Sequence, residues 1–388
     1  MPKEKEIVFW QYWSGVEKEP LEALVLQFNK VYSKKYGFKV KLLTISMPQK
    51  KIMMAMAGNV APDLVHLDGG MVVDFALRDA LTDISEIDTA NFIPIYIEAL
   101  KVNGKQYALP LMPTCEAMHV NIDLLKESGI GTPNSLEDLA KSYKVKGKGV
   151  HLWMPSWPPW AGKFLPIVFG GNWGRQLPDG TWEVTANSPE NIEAWTWVQE
   201  NFASKLKPGE LASFTEGFSS YQSPDNPFYA GKVAIENSGV WEKNLAHIYS
   251  PDMEVEIAPF PGKLSMPTLV SVDALAIPKV AKHKKEAMQF MLWLLEQGNV
   301  ESLALAQAKF SPLKEVSEDF YLKHSNPYIK VFVDLANSPN AKFFPQLPFI
   351  KRYERAIKEH YDKVLRMEMS AKEALDELQG KFASEHPQ

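Results

Sequence analysis

The chain has 388 residues, more than one ordinary hydrophobic core organises, so two domains are expected. Hydrophobic residues at 45% and charged residues at 23% fit ordinary globular composition, and a net charge of −5 without a basic cluster argues against a nucleic-acid partner. No apolar run reaches the ~20 residues that span a bilayer, and the single Cys115 excludes an internal disulfide or a thiolate metal cluster.

"MPKEKEIVFW" opens charged and passes straight into a β-favouring run at Glu6–Trp10, with no apolar leader and no cleavage site. Apolar residues at Leu21, Leu24, Val25, Phe28, Val31 and Tyr32 have helical spacing, and Gly37 stops the run. "FKVKLLTI" reads as the next strand, "KKIMMAMAGN" as a short helix and "DLVHLD" as a third strand. Strand, helix, strand, helix, strand with short links predicts parallel βαβ units, whose ligands bind beyond the carboxyl ends of the strands. Those ends are Gln11–Ser14, Ser46–Met47 and Asp68–Gly70.

A second α/β region follows. "AMHVNIDLL" begins with a strand, and Ser135, with Asp138 three residues on, is placed to cap a helix in "NSLEDLAKSY". The segment "MPSWPPWAG" then sets Trp157 and Trp160 among three prolines, which disfavour a regular element there. Rings held so stiffly are either core packing or a surface for a flat partner. Helices are predicted around Ala161–Phe169 and Glu190–Phe202, with strands in "KVAIEN", "EVEIAPF" and "VSVDALAIP". "KHKKEAMQFMLWLLEQG" reads as an amphipathic helix closed by Gly298, and Leu347–Phe382 as mostly helical.

The chain holds no GxGxxG, P-loop, GxSxG or HExxH pattern, and "GKGVH" lacks both the third glycine and a preceding strand. Eight histidines never pair at i,i+4, so no metal site and no cofactor is expected. Cys115 with His119 four residues on is the coincidence scattered residues produce, and a buried inert thiol is expected. Carboxylates are numerous enough for an acid–base pair, so the residues alone leave a glycoside hydrolase open beside a binding protein.

In chain order, "IVFWQYW", "MAGNVAPDLVHLDGGMVVDFALRDALTDIS", "VNGKQYALPLMPTCEAMHVNIDLLKESGIGTPNSLEDLAK", "FYAGKVAIENSGVW", the "IAPFPG" and "TLVSVDALAIPKVAKHKKEAMQFMLWLL" segments, and "KFSPLKEV" resemble one family. It is the extracytoplasmic solute-binding proteins of ABC importers, carbohydrate-binding family 1, the group that includes maltose-binding protein. The likeness runs from Ile7 to about Leu378. His119 stands where the family usually has Tyr, and Ser271–Asp273 where it commonly has Gly-Gly.

The resemblance implies an α/β, two-lobed periplasmic-binding-protein fold (type II), with hinge crossovers and a ligand cleft between lobes. One lobe would be residues 1–112 and 268–311, the other 113–267 and 312–388, with crossings near Pro110–Cys115, Pro259–Leu269 and Phe310–Leu313. It implies a non-enzymatic receptor that captures a mono- or oligosaccharide, or a polyol, and delivers it to the membrane permease subunits of an ABC importer. Such a receptor is a periplasmic or cell-surface monomer whose signal peptide has been removed. Sugar C–H faces suit indole rings and sugar hydroxyls suit carboxylates and amides. The expected ligand residues are Trp10, Tyr12, Trp13, Ser46, Asp68, Glu116, Trp157, Trp160, Trp173, Ser238, Trp241 and Asp273. Trp195, Trp197 and Trp293, in helical runs, are expected in the core. A binding protein for another small polar solute is a further alternative. The aromatic density and the lack of an Arg/Lys cluster among these loops speak against it.

Overall fold

A computed structural model describes residues 5–141, 150–207, 209–215 and 222–384. Met1–Glu4, the last two residues of "NSLEDLAKSY" and residues 147–149 of "GKGVH" lie outside the described residues. Contacts divide the chain into two units. The first holds residues 1–114, 271–325 and 346–348; the second holds 115–270, 326–345 and 349–388.

In the first unit the strand Lys5–Gln11 lies between two parallel partners, Phe38–Thr44 and Leu64–Asp68. Leu64–Asp68 in turn pairs antiparallel with the second half of Thr268–Ala276, which sets Asp273 opposite Asp68. Alternation in "KEIVFWQ" buries Ile7, Phe9 and Gln11 completely on one face. The helix expected from Leu21 begins earlier, at Gly15, and admits Pro20; it continues through a π-helical stretch, Phe28–Tyr32, and Ser33–Tyr36. Gly37 closes it with a φ of 80°, a conformation that favours glycine. Phe28 is central to the core, with its ring centroid 5.0 Å from those of both Phe290 and Trp293.

Gly298 does not close the helix that carries Trp293. That helix, Lys284–Leu294, ends four residues earlier, where Leu295 donates its N–H to Met291. Gly298 opens the next helix, Gln297–Ala306, because the chain turns at Glu296 to bring Val300 and Leu303 into the same core as Leu294. The third passage between units also comes later than Phe310–Leu313, after Ser325. Phe320 is buried in the first unit's core, the Ser317 N–H donates to Glu301 at 2.7 Å, and Leu313 bridges to Phe92; these tether the segment.

In the second unit the sheet runs Val255–Ala258, Ala117–Asn121, Val233–Ser238, His151–Trp153, mixing antiparallel and parallel pairs. Every residue of Val233–Ser238 is buried, including Glu236, Asn237 and Ser238. Helices Ala161–Val168, Pro189–Asn201, Ile350–Leu365 and Ala371–Ala383 pack together. Their close approach requires Gly162, where a Cβ would fall 2.4 Å from the Tyr361 ring. Ser135 does cap its helix, accepting the Asp138 N–H at 3.1 Å.

Trp293 is 2% exposed, so Trp293→Ala should cost roughly 3–5 kcal/mol of stability through the cavity it leaves. Thermal melts should show a much lower midpoint for that variant than for Trp160→Ala, whose ring is only partly buried.

Candidate functional site

Two groups of polar and aromatic side chains stand out, one in each unit. In the first unit, the loop after Lys5–Gln11 places Tyr12 and Trp13 against His66 and Asp273. Tyr12 donates its hydroxyl to Asp273 Oδ1, and Trp13 Nε1 donates to Oδ2 at 3.2 Å. The Tyr12 ring stacks on His66, centroids 4.2 Å apart and planes 10° from parallel. His66 Nε2 also sits 3.2 Å from Asp273 Oδ1, at an angle that makes no hydrogen bond. Lys309, only 4% exposed, holds its ammonium 5.0 Å from the Trp13 ring centre and pairs with Glu17 at 2.6 Å. Burial foremost, then the Asp273 and Asp68 carboxylates, push the Tyr12 phenol well above its ordinary range, so it remains a donor. Burial alone would raise Asp273, but nearby His66, Lys309 and the Tyr12 hydroxyl outweigh it and bring it down to about 2.

In the second unit Glu116 follows the end of Ala108–Cys115. Its backbone is fixed by N–H donation to Leu269 and by acceptance from Thr268 Oγ1 at 2.7 Å. Its Oε2 accepts from Trp160 Nε1 and from Asn237 Nδ2, both at 3.0 Å. The half-buried Trp160 and Trp241 meet edge to face, centroids 6.4 Å apart. Gly239 makes room for that pair, since a Cβ there would fall 2.2 Å from the Trp241 ring. One strand deeper, Trp157 Nε1 donates to Glu236 Oε2 at 2.7 Å, and Ser238 Oγ donates to Glu242 at 2.8 Å. Burial pushes Glu116 up to about 7, with Asn237, Trp160 and Lys163 opposing it. Burial pushes Glu236 up to about 8, opposed by Trp157 and reinforced by Glu116, and raises Glu242 well above its usual value. At neutral pH this group therefore carries protons.

Of the residues expected from sequence, the structure brings together Tyr12, Trp13, Asp68 and Asp273 in one unit, and Glu116, Trp157, Trp160, Ser238 and Trp241 in the other. Asp68 uses Oδ1 to accept the Met71 N–H at 2.9 Å, capping the helix Gly69–Leu77. Trp10 is half-buried within its strand, in register with Leu43 and Val65, and the exposed Ser46 accepts from Lys51. Trp173 is a core residue. It is fully buried, donates Nε1 to the Lys163 carbonyl at 2.7 Å and packs on Trp195 and Tyr353, so no face is left for a ligand.

Sequence reasoning missed His66, Lys309, Glu236, Asn237 and Glu242. The available signal was a polar residue inside an apolar strand, as in "VAIENS" and "LVHLD". Cys115 is buried and its thiol lies 3.3 Å from the Phe332 carbonyl. Burial raises its pKa, the opposite of what a nucleophilic thiol needs. His119 is buried, and burial lowers it to about 3, so it is neutral. Among the described residues no cluster of three His, Cys, Asp or Glu side chains could hold a metal ion, and no helix is long and apolar enough to cross a membrane.

Residues 23–327 match the family described as bacterial extracellular solute-binding protein. The structure of CpMnBP1 with mannobiose bound is similar over 98% of this chain and 100% of its own, with a TM-score of 0.79 at 23% identity. An ABC substrate-binding protein of Listeria monocytogenes, in complex with cycloalternan, is similar over 98% of both chains, with a TM-score of 0.78 at 18% identity. An uncharacterised ABC transporter extracellular-binding protein of Pyrococcus horikoshii is 20% identical over 341 residues, 84% of this chain and 77% of that one. These likenesses show the two-lobed α/β fold.

The raised carboxyls make stability fall with pH. Glu236 ionises near 8 in the folded chain and at about 4.3 when unfolded, so between those values the folded chain holds a proton that the unfolded chain has released. Its contribution is complete below about pH 4.3 and is lost as pH rises through about 8. Thermal melts from pH 5 to 8.5 should show Glu236→Gln gaining on the wild type as pH rises.

Proposed function

We propose a function from a premise that the match establishes: the chain belongs to the bacterial extracellular solute-binding protein family. The solute is a carbohydrate, captured without chemical change outside the cytoplasm and delivered to the membrane permease of an ABC importer. The observation that carries this reading is the grouping of Glu116 with Trp160 and Trp241. Two half-buried indoles supply flat apolar faces for the C–H surface of a sugar ring. A carboxyl, whose Oε2 already fixes one of them, supplies acceptor capacity for hydroxyls. Tyr12 and Asp68 supply the same combination in the other unit, with Trp10 and Ser46 at the neighbouring strand ends. Trp13, Trp157 and Ser238 act from behind, holding these groups in place. Support comes from proteins of the same fold bound to mannobiose, cycloalternan and maltotetraose, and from the relative described as an ABC transporter extracellular-binding protein. The reading includes a monomer and no cofactor.

A thermal-shift screen with mannobiose, maltose, maltotetraose and cycloalternan tests the reading. A ligand at a hundred times its Kd adds about 2.7 kcal/mol, a readily visible rise in Tm. A panel that leaves Tm unchanged overturns it, and hydrolysis products formed in proportion to protein would turn it into a glycosidase. Calorimetric titration should show Trp160→Ala and Trp241→Ala each weakening binding by roughly 5- to 150-fold, the loss of ~1–3 kcal/mol of apolar contact. Their melting temperatures should fall much less than that of Trp293→Ala.

A further inference from the structure

We propose that Asp273 is a positioning residue: it fastens Tyr12 as the stacking face of the first unit and does not itself meet the ligand. The inference rests on the reading of this group as part of a carbohydrate site. From sequence, a carboxylate at Asp273 reads as an acceptor for sugar hydroxyls. Its surroundings say otherwise. Oδ1 accepts from the Tyr12 hydroxyl and is faced by His66 Nε2; Oδ2 accepts from Trp13 Nε1. Each oxygen thus already serves a ring of the protein, and the two bonds together fix the planes of Tyr12 and Trp13.

Tyr12 is correspondingly fixed at both ends. Its backbone follows the sheet strand, its hydroxyl ends on Asp273, and one ring face is covered by His66 at 4.2 Å. The ring is only half-buried, so part of it stays open to a partner. Trp13 provides no such face, being 4% exposed with the Lys309 ammonium over its ring. A ring frozen before the ligand arrives loses no rotamer freedom on binding, which is the usual source of affinity from preorganisation. The arrangement also makes the pairing of Asp273 opposite Asp68 tolerable, although like charges opposed across a sheet are unfavourable. The charge of Asp273 is offset by its donors and by Lys309, and Asp68 is turned to its helix cap. The low pKa of Asp273, about 2, keeps it a full acceptor at neutral pH. The ligand class that fits is a cyclic sugar offering a C–H face, rather than an open-chain polyol.

A double-mutant cycle with mannobiose and maltotetraose as probes tests this. Asp273→Asn keeps one acceptor oxygen, which can serve Tyr12 or Trp13 but not both. Asp273→Asn and Tyr12→Phe should each weaken binding roughly tenfold, the scale of one charge-assisted hydrogen bond. In the Tyr12→Phe background the remaining oxygen serves Trp13, so the double variant should bind like either single one. Additive losses would mean that Asp273 touches the ligand, and would overturn the proposal. A second readout needs no ligand. With tyrosine labelled by 13C at Cζ, the resonance removed by Tyr12→Phe should move in Asp273→Asn towards that of an unbonded phenol; an unmoved resonance overturns the proposal. If the wild type binds neither probe nor any sugar of the wider panel, the carbohydrate reading is what fails. If it binds and the losses add, only the role of Asp273 fails.

Discussion

Among the described residues Trp13, Trp157 and Trp160 end their indole N–H groups on buried or part-buried carboxyls, and both polar–aromatic groups are arranged around that constraint. Trp13 donates to Asp273, Trp157 to Glu236 and Trp160 to Glu116. A buried indole N–H without an acceptor costs free energy, and so does a buried carboxyl without donors. Joining them meets both needs and fixes the plane of a large ring. The rings that could meet a ligand are thus oriented by their second neighbours, before any ligand is present.

The two units solve the charge problem differently. Around Asp273 a cation is close: Lys309 lies beside Trp13, and the carboxylate stays ionised. Around Glu116 burial outweighs Asn237, Trp160 and Lys163, the last paired with Glu354 as Lys309 is with Glu17. There burial favours the neutral forms of Glu236 and Glu242, while Glu116, near 7, is divided between its two forms. The first unit holds an ionised carboxylate; the second holds carboxyls that burial shifts towards the neutral form.

Much of the fold was legible in sequence because the relevant signals are local. The alternation of "KEIVFWQ", the helical spacing up to Gly37 and the β-favouring "DLVHLD" each became the element they predict. The features that were not legible depend on tertiary neighbours. Gly298 looks like a stop signal, but Leu294 and Val300 share one core and the chain turns between them. Segment Ser311–Ser325 remains with the first unit through Phe320 and the Ser317–Glu301 bond, partners far apart in sequence. In the site, residue type was a fair guide but role was not. Trp173 has the composition of a platform and is core; Asp273 has the composition of a ligand acceptor and takes the Tyr12 hydroxyl and the Trp13 N–H. Glu236 escaped notice because a lone acid in an apolar strand is informative only once its burial is known.

The stiff segment "MPSWPPWAG" shows how such roles divide within nine residues. Its ties to the rest of the unit include the Tyr361 hydroxyl on the Pro155 carbonyl, Trp195 Nε1 on the Gly162 carbonyl, and Trp157 Nε1 on Glu236. Trp157 is 5% exposed, so its ring is spent on holding the loop to the sheet. Trp160, three residues on, sits at the start of helix Ala161–Val168 and remains half-buried, its N–H on Glu116 and its edge against Trp241. The prolines restrict the backbone between the two rings, so the loop loses little freedom when it is tied down. One tryptophan is therefore the clamp, and that clamp allows the other to be a surface.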